Sequence, residues 1–286
     1  MFVSDRTMMA RPMPCEREFR ILRDVRNVDL RVPCLSLGGD AEVEDWSLPG
    51  TSIVLAVEVD GAAGPALEAA ALDTYLGILA DVERAGYPHL VRAWNFVPGI
   101  NGMAGGFERY ALFCRARAQA FETRFGRGFE PHLCAASAVG ADGDALVVHV
   151  VAAREPGRAV ENPRQVAAWR YPDRYGPCSP SFVRATVWRD VVFVSGTASV
   201  VGHESVHPGD VAAQTEETMR NVACVLEESR TDAKVASLRT YVRNAGDVEA
   251  VRAAIARSGL GDVPNAWYRA DICRSELLVE IEAIAR

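Results

Sequence analysis

LLVEIEAIA (residues 277–285) and ALVVHVVAA (residues 145–153) share period and length, and the fold turns on reading them as one strand in two copies of a unit. Each is an apolar run of strand length, the pattern of a buried β-strand. Upstream of 277–285, residues 191–201 (VVFVSGTASVV) read as a strand interrupted at Ser195, Gly196 and Thr197, where a bulge or turn exposes backbone amides. Pro208 and Gly209 then break the chain and Asp210 suits a helix N-cap. Val211, Thr215, Met219, Val222 and Leu226 follow at helical spacing to about Arg230. A strand at 237–243 (SLRTYVR), a helix at 247–258 stopped by Gly259, and strands at 266–273 and 277–285 complete the order β-α-β-α-β-β.

The first half repeats this order. A strand at 52–59, an alanine-rich helix at 66–85, a strand at 90–97 (LVRAWNFV) and a helix at 108–125 precede strands at 134–139 and 145–153, which flank Ala141-Asp142-Gly143-Asp144, a hairpin turn signal. LVRAWNFV also matches SLRTYVRN. The repeat predicts two related αβ domains, 1–155 and 156–286, in an α+β fold. Overlaid without gaps, Glu280 and Glu282 fall opposite Val148 and Val150, so only the second copy carries two acids there. Period two puts both on one face. If the helices cover the other face, this one is open, and the pair is either solvated or functional.

Residues 161–188 (ENPRQVAAWRYPDRYGPCSPSFVRATVW) join the copies and show little helical or strand period. Trp169, Tyr171, Tyr175 and Phe182 favour a packed segment over a flexible spacer. From Arg154 to Arg189 seven arginines (154, 158, 164, 170, 174, 184, 189) face three acids (Glu155, Glu161, Asp173), a local charge of +4 in a chain of −7. Guanidinium groups beside aromatic rings suit a small carboxylate ligand, although surface ion pairs could engage the same arginines.

The chain has 286 residues, with 31 basic against 38 acidic, which argues against a nucleic-acid binder that neutralises phosphates. Only Lys234 among the basic residues is lysine, a bias that codon usage accounts for. No apolar run approaches the roughly 20 residues of a membrane span, and MFVSDRTMMARPMPCEREF lacks a signal-peptide core, so a cytoplasmic protein without membrane attachment is expected. Seven scattered cysteines indicate neither a disulfide framework nor structural zinc. His203-Glu204-Ser205-Val206-His207 matches H-E-x-x-H, but Gly202 and Pro208-Gly209 preclude the continuous helix that zinc-protease chemistry needs. No metal is expected. No nucleotide-binding or G-x-S-x-G motif is present, and GINGMAGG (99–106) reads as a mobile loop.

The unit ending in LLVEIEAIA resembles the RidA/YjgF group, which includes imine deaminases with a key arginine near the start of the penultimate strand. That position falls at about Asn265 here, with Arg269 nearby, a departure that argues against deamination. ENPRQVAAWRYPDRYGPCSPSF, FVSGTASVVGHESVHPGD and ADICRSELLVEIEA together resemble the chorismatases more closely. The resemblance implies a diverged RidA-like N-terminal domain, a RidA-like catalytic C-terminal domain, no cofactor, and chorismate as substrate. By the same resemblance Glu280 protonates the enolpyruvyl methylene, which requires a carboxyl kept neutral near pH 7. Arg164, Arg170 and Arg184, with Tyr171 and Tyr175, would anchor the two substrate carboxylates, and the Gly196-Thr197-Ala198 turn would present backbone amides beside the reacting ether. Cys178 stands in YGPCSP where the resemblance implies arginine in many relatives. Family members give either 3-hydroxybenzoate or, with water, a dihydroxycyclohexadiene carboxylate. Cys273, seven residues before Glu280, matches the 3-hydroxybenzoate formers of secondary metabolism, and a small buried strand residue would look the same. RidA proteins are trimers with sites between subunits. Two copies in one chain could build that interface internally, as a monomer.

Overall fold

A computed structural model describes residues 17–22, 32–39, 52–62 and 64–286. Cys15 and residues 1–16 of the stretch read for a leader lie outside the described residues. The first half contains β1 (Arg17–Leu22), β2 (Leu35–Gly39), β3 (Ser52–Val59), α1 (Leu67–Arg84), β4 (His89–Pro98), β5 (Met103–Ala104), β6 (Phe107–Glu108), α2 (Arg109–Phe125), β7 (Ala135–Ala141) and β8 (Leu146–Ala153). The second half contains β9 (Arg158–Val160), β10 (Ala185–Trp188), β11 (Val191–Thr197), β12 (Val200–Val201), β13 (Glu204–Ser205), α3 (Val211–Glu228), β14 (Val235–Val242), α4 (Val248–Arg257), β15 (Asn265–Arg269) and β16 (Val279–Ala285).

One sheet runs β1-β3-β8-β4-β7 and the other β2-β15-β14-β16-β11-β10-β9. Each holds one parallel pair, β4 with β7 and β14 with β15. Parallel strands need a crossover, and α2 and α4 supply it. Matching β7-β4-β8-β3-β1 to β15-β14-β16-β11-β10 aligns the two orders strand for strand. This is a duplicated α+β unit, as the repeat predicts.

The helices form where the spacing predicts them. On α1, Leu67, Ala71, Thr74, Tyr75, Ile78 and Val82 are buried at three- and four-residue steps. Asp210 caps α3, its carboxylate accepting the Ala213 N–H at 3.0 Å. Val222 and Val225 of α3 and Val251 and Ile255 of α4 pack on Val279, Ile281 and Ala283 of β16. Each such valine or isoleucine contributes about 1.5–3 kcal/mol by leaving water.

The remaining faces of the two sheets pack on each other through Trp94, Phe96, Val147, Val151, Phe193 and Tyr241. The layers are therefore helix, sheet, sheet, helix. This corrects the expectation of an open face under the acids: Glu280 is 3% and Glu282 5% exposed, because the first domain's sheet covers them. The ungapped overlay is corrected too. Val148 and Val150 face the helices of their own domain. Trp94 pairs with His149 as Tyr241 pairs with Glu280, and Arg92 pairs with Val151 as Arg239 pairs with Glu282. The counterparts of the acids are thus His149 and Val151, since a slip of one residue turns a strand over.

Several boundaries differ from expectation. Residues 191–201 split into β11 and β12, with a register shift between Val194 and Thr197. The strand expected at 266–273 stops at Arg269, because the Arg243 guanidinium holds the carbonyls of Ile272, Arg274 and Leu277 in an irregular loop. Residues 185–188 of the joining segment form β10, paired with β11. In GINGMAGG, β5 and β6 make a small hairpin turned by Gly105 and Gly106, both at positive φ, in place of the mobile loop. His207 lies at φ 59°, so no helix runs through H-E-x-x-H.

Candidate active site

A cavity of about 460 Å³ opens where the joining segment meets both domains. The hairpin and the start of α2 contribute Phe107, Glu108, Tyr110 and Cys114. The joining segment contributes Gln165, Tyr171, Arg174, Tyr175, Phe182 and Arg184. Gly196 and Ala198 at the end of β11, Cys273, Arg274 and Glu276 of the 270–278 loop, and Glu280 of β16 also line it. Of the residues singled out in the sequence, the cavity gathers Glu280, Cys273, Gly196 and Ala198 and, from the joining segment, Tyr171, Arg174, Tyr175, Cys178, Phe182 and Arg184.

Three others lie elsewhere. Arg164 is ion-paired with Glu217 of α3, which also binds Arg220 at 2.8 Å. Arg170 is exposed outside the lining. Thr197 is buried, its hydroxyl donating to the Ser195 carbonyl at 2.8 Å. The expected amide donor at Gly196 is also corrected, because that N–H donates to Ser137 Oγ at 2.9 Å. Gly196 instead provides room: a Cβ there would lie 1.9 Å from Glu280 Oε1.

The two acids of β16 have opposite electrostatics. Burial opposes ionisation of Glu282, but Arg92 at 3.0 Å and Arg239 at 3.9 Å, with the Trp94 indole N–H donating at 2.7 Å, hold its carboxyl below the usual range. Arg92 and Arg239 occupy equivalent positions on β4 and β14, so the duplication itself brings two cations to one carboxylate. Glu280 has no such partner. Burial pushes its carboxyl up to about 8, the Glu282 charge adds to this, and Arg92 only partly opposes it. Its Oε1 is buried with no hydrogen-bond partner among the described residues. Near neutral pH the pair therefore consists of one carboxylate and one carboxylic acid, and the acid faces the cavity.

The cationic side of the cavity is formed by arginines on aromatic rings. Arg184 donates to the Tyr171 hydroxyl at 2.8 Å and the Val166 carbonyl at 3.0 Å, while its buried Nε has no partner among the described residues. Arg274 stacks 4.1 Å from the Tyr175 ring centre and 5.3 Å from that of Tyr171, with Nη1 on the His203 carbonyl and Ser205 Oγ. Tyr175 donates to the His203 carbonyl at 2.7 Å. Cys273 is a neutral thiol: burial, then the neighbouring Glu280, pushes it up to about 12. Cys178 also lines the cavity, its thiol raised by burial.

Sequence reasoning missed Arg274, Gln165, Tyr110, Glu108 and Glu276. For Arg274 a signal existed, since it directly follows Cys273, but it lies outside the arginine-rich stretch. Arg243 was also missed. It donates to Asn101 Oδ1, Asp271 Oδ1 and the carbonyls of Ile272, Arg274 and Leu277, and so fixes the loop that carries Cys273 and Arg274. Asn265 of β15 is buried and accepts from Thr240 at 3.0 Å, outside the cavity lining. The described residues contain no group of three potential metal ligands and no helix long and apolar enough to cross a membrane.

Residues 36–152 match the family described as Chorismatase FkbO/Hyg5-like, N-terminal, and residues 177–286 match Endoribonuclease L-PSP. A protein of Streptomyces rapamycinicus named chorismatase is 41% identical over 230 residues, 73% of this chain and 68% of its own. A 3-hydroxybenzoate synthase of Streptomyces hygroscopicus is 37% identical over 230 residues, 73% of this chain and 67% of its own. A crystal structure described as chorismatase aligns with a TM-score of 0.74 at 27% identity, covering 95% of this chain and 99% of that one.

Proposed function

The chain belongs to the chorismatase family, and from that premise we propose that it binds chorismate in the 460 Å³ cavity and cleaves it to pyruvate and 3-hydroxybenzoate, with Glu280 as the proton donor. One observation carries the reading: a carboxylic acid kept protonated at a buried cavity wall, two residues from a carboxylate held ionised by two arginines. Among the described residues nothing hydrogen-bonds to the acid's Oε1, so no such bond has to break before it gives up its proton.

Protonation of the enolpyruvyl methylene by Glu280 makes a methyl group and puts cationic character on the ether carbon. The ring C–O bond then breaks and the three-carbon unit leaves as pyruvate. The ring hydroxyl closes on the vacated carbon, and loss of a ring proton with reopening gives the aromatic product. The atoms of the two products sum to those of chorismate, so no water is consumed, and the ring proton replaces the one that Glu280 supplied. Arg184 and Arg274, both beside Tyr171, would bind the two substrate carboxylates. Cys273, next to Glu280, supports the 3-hydroxybenzoate outcome as an uncharged thiol that brings no water with it.

In this reading residues 1–155 supply the hairpin wall and residues 156–286 supply the acid and the cations. One chain provides both sides of the cavity, so a monomer suffices, and gel filtration tests this. Incubation with chorismate should release pyruvate, detected with a coupled dehydrogenase, and 3-hydroxybenzoate, identified by mass spectrometry. A dihydroxycyclohexadiene carboxylate would assign the hydrolytic outcome instead. Pyruvate at only the spontaneous rate would refute the activity.

A further inference from the structure

Beside Glu280 lies a second space of about 40 Å³, which shares seven lining residues with the main cavity, Gly196, Cys273 and Glu280 among them, and is lined also by Asn95, Arg117 and Ser181. Arg117, on α2, is 3% exposed. Its Nη1 donates to the Ser181 carbonyl, and the Tyr75 and Phe121 ring centres lie 4.9 and 5.0 Å from its guanidinium carbon. Nε and Nη2 are buried with no hydrogen-bond acceptor among the described residues, and the neighbours that act most on the charge are Tyr75, Cys134 and Cys114, none of them a carboxylate. A buried cation without a counter-charge is strongly unfavourable. Ser181 Oγ, in a residue 3% exposed, is a second polar group there without a partner.

The size of the chamber limits what can complete it. At about 40 Å³ the space exceeds the roughly 10–15 Å³ that one water needs, so it admits one small ion. We propose that this chamber is a binding site for one small monovalent anion, held by Nε and Nη2 of Arg117 and the hydroxyl of Ser181. The ion neutralises Arg117 and places negative charge beside Glu280, where it favours the uncharged carboxyl. That last consequence rests on Glu280 acting as the acid. The binding itself does not.

Bromide is the probe. Crystals of the full chain soaked in sodium bromide and measured at the bromine edge should show an anomalous peak in the chamber within hydrogen-bond distance of Arg117. Water density without an anomalous signal would overturn the site. In solution, bromide replacing gluconate at constant ionic strength should raise the unfolding midpoint saturably. Ser181→Ala should weaken the apparent bromide affinity about tenfold, the loss of one charge-assisted hydrogen bond. An equal response in Ser181→Ala and the parent would also overturn the assignment. Adding 3-hydroxybenzoate to the soak separates a free ion from a ligand carboxylate: a persisting bromide peak supports the site, and carboxylate oxygens in its place refute it. These readouts need no turnover, so an inactive enzyme would leave them intact.

Discussion

Glu280→Gln keeps the shape of the side chain and removes its proton, and it should abolish turnover while stabilising the protein above pH 5. The folded-state carboxyl titrates at about 8, against an ordinary 4.5. Between those values the folded protein holds a proton that the unfolded chain has lost. Wild-type stability therefore falls as pH rises through that window, by about 1.4 kcal/mol per pH unit. Across the window this amounts to at most about 5 kcal/mol, and glutamine, which does not titrate, lacks that slope. Urea unfolding at pH 5, 6, 7 and 8 should give curves that nearly coincide at pH 5 and diverge steadily, with the variant the more stable at pH 8. Pyruvate release should fall at least about a hundredfold, the usual worth of a general acid. In the wild type, release should itself decline as pH rises through about 8. Parallel stability profiles, or an active variant, would refute the reasoning.

Gly196→Ala forces a methyl group against Glu280 Oε1, and should cost about 1–3 kcal/mol of stability. It should also reduce kcat roughly a hundredfold through the displaced carboxyl, and unchanged kinetics would show that the carboxyl is not held there. Arg274→Ala should raise KM for chorismate by roughly 10- to 100-fold, the loss of a charge-assisted contact, and an unchanged KM would remove it from the substrate site. Arg243→Lys cannot reproduce the fork of hydrogen bonds to the 270–278 loop, so KM should rise more than kcat falls, whereas a purely structural role would lower only the melting temperature. Cys273→Ala should leave pyruvate release within about tenfold of wild type while changing the ratio of ring products, and loss of pyruvate would give the thiol a larger role.

The elements were legible wherever local chemistry sets them. Asp210 before a helical apolar stripe fixed α3, and the recurring strand pairs revealed the duplication. Burial of the two acids was not legible, because a strand sequence shows two faces and not what covers each. The overlay failed by one residue, since apolar strands such as ALVVHVVAA constrain alignment weakly while their faces depend on register. The count of arginines located the cationic segment without giving directions: Arg184 points into the cavity, Arg164 binds Glu217, and Arg170 faces solvent. The contrast between Glu280 and Glu282 depends on Arg92, 190 positions away from Glu282 in sequence, and no local pattern encodes it.

Strand β2 belongs by position to the first half of the chain, yet it hydrogen-bonds to β15 as the outer strand of the second sheet. The second unit therefore borrows its edge protection from the first. Recombination between relatives at residue 155 would separate β15 from its cover, leaving an open sheet edge prone to pair with another chain. A productive exchange of domains has to transfer residues 35–39 together with the C-terminal half. The ancestral duplication has in this way become a fusion that can no longer be cut at its seam.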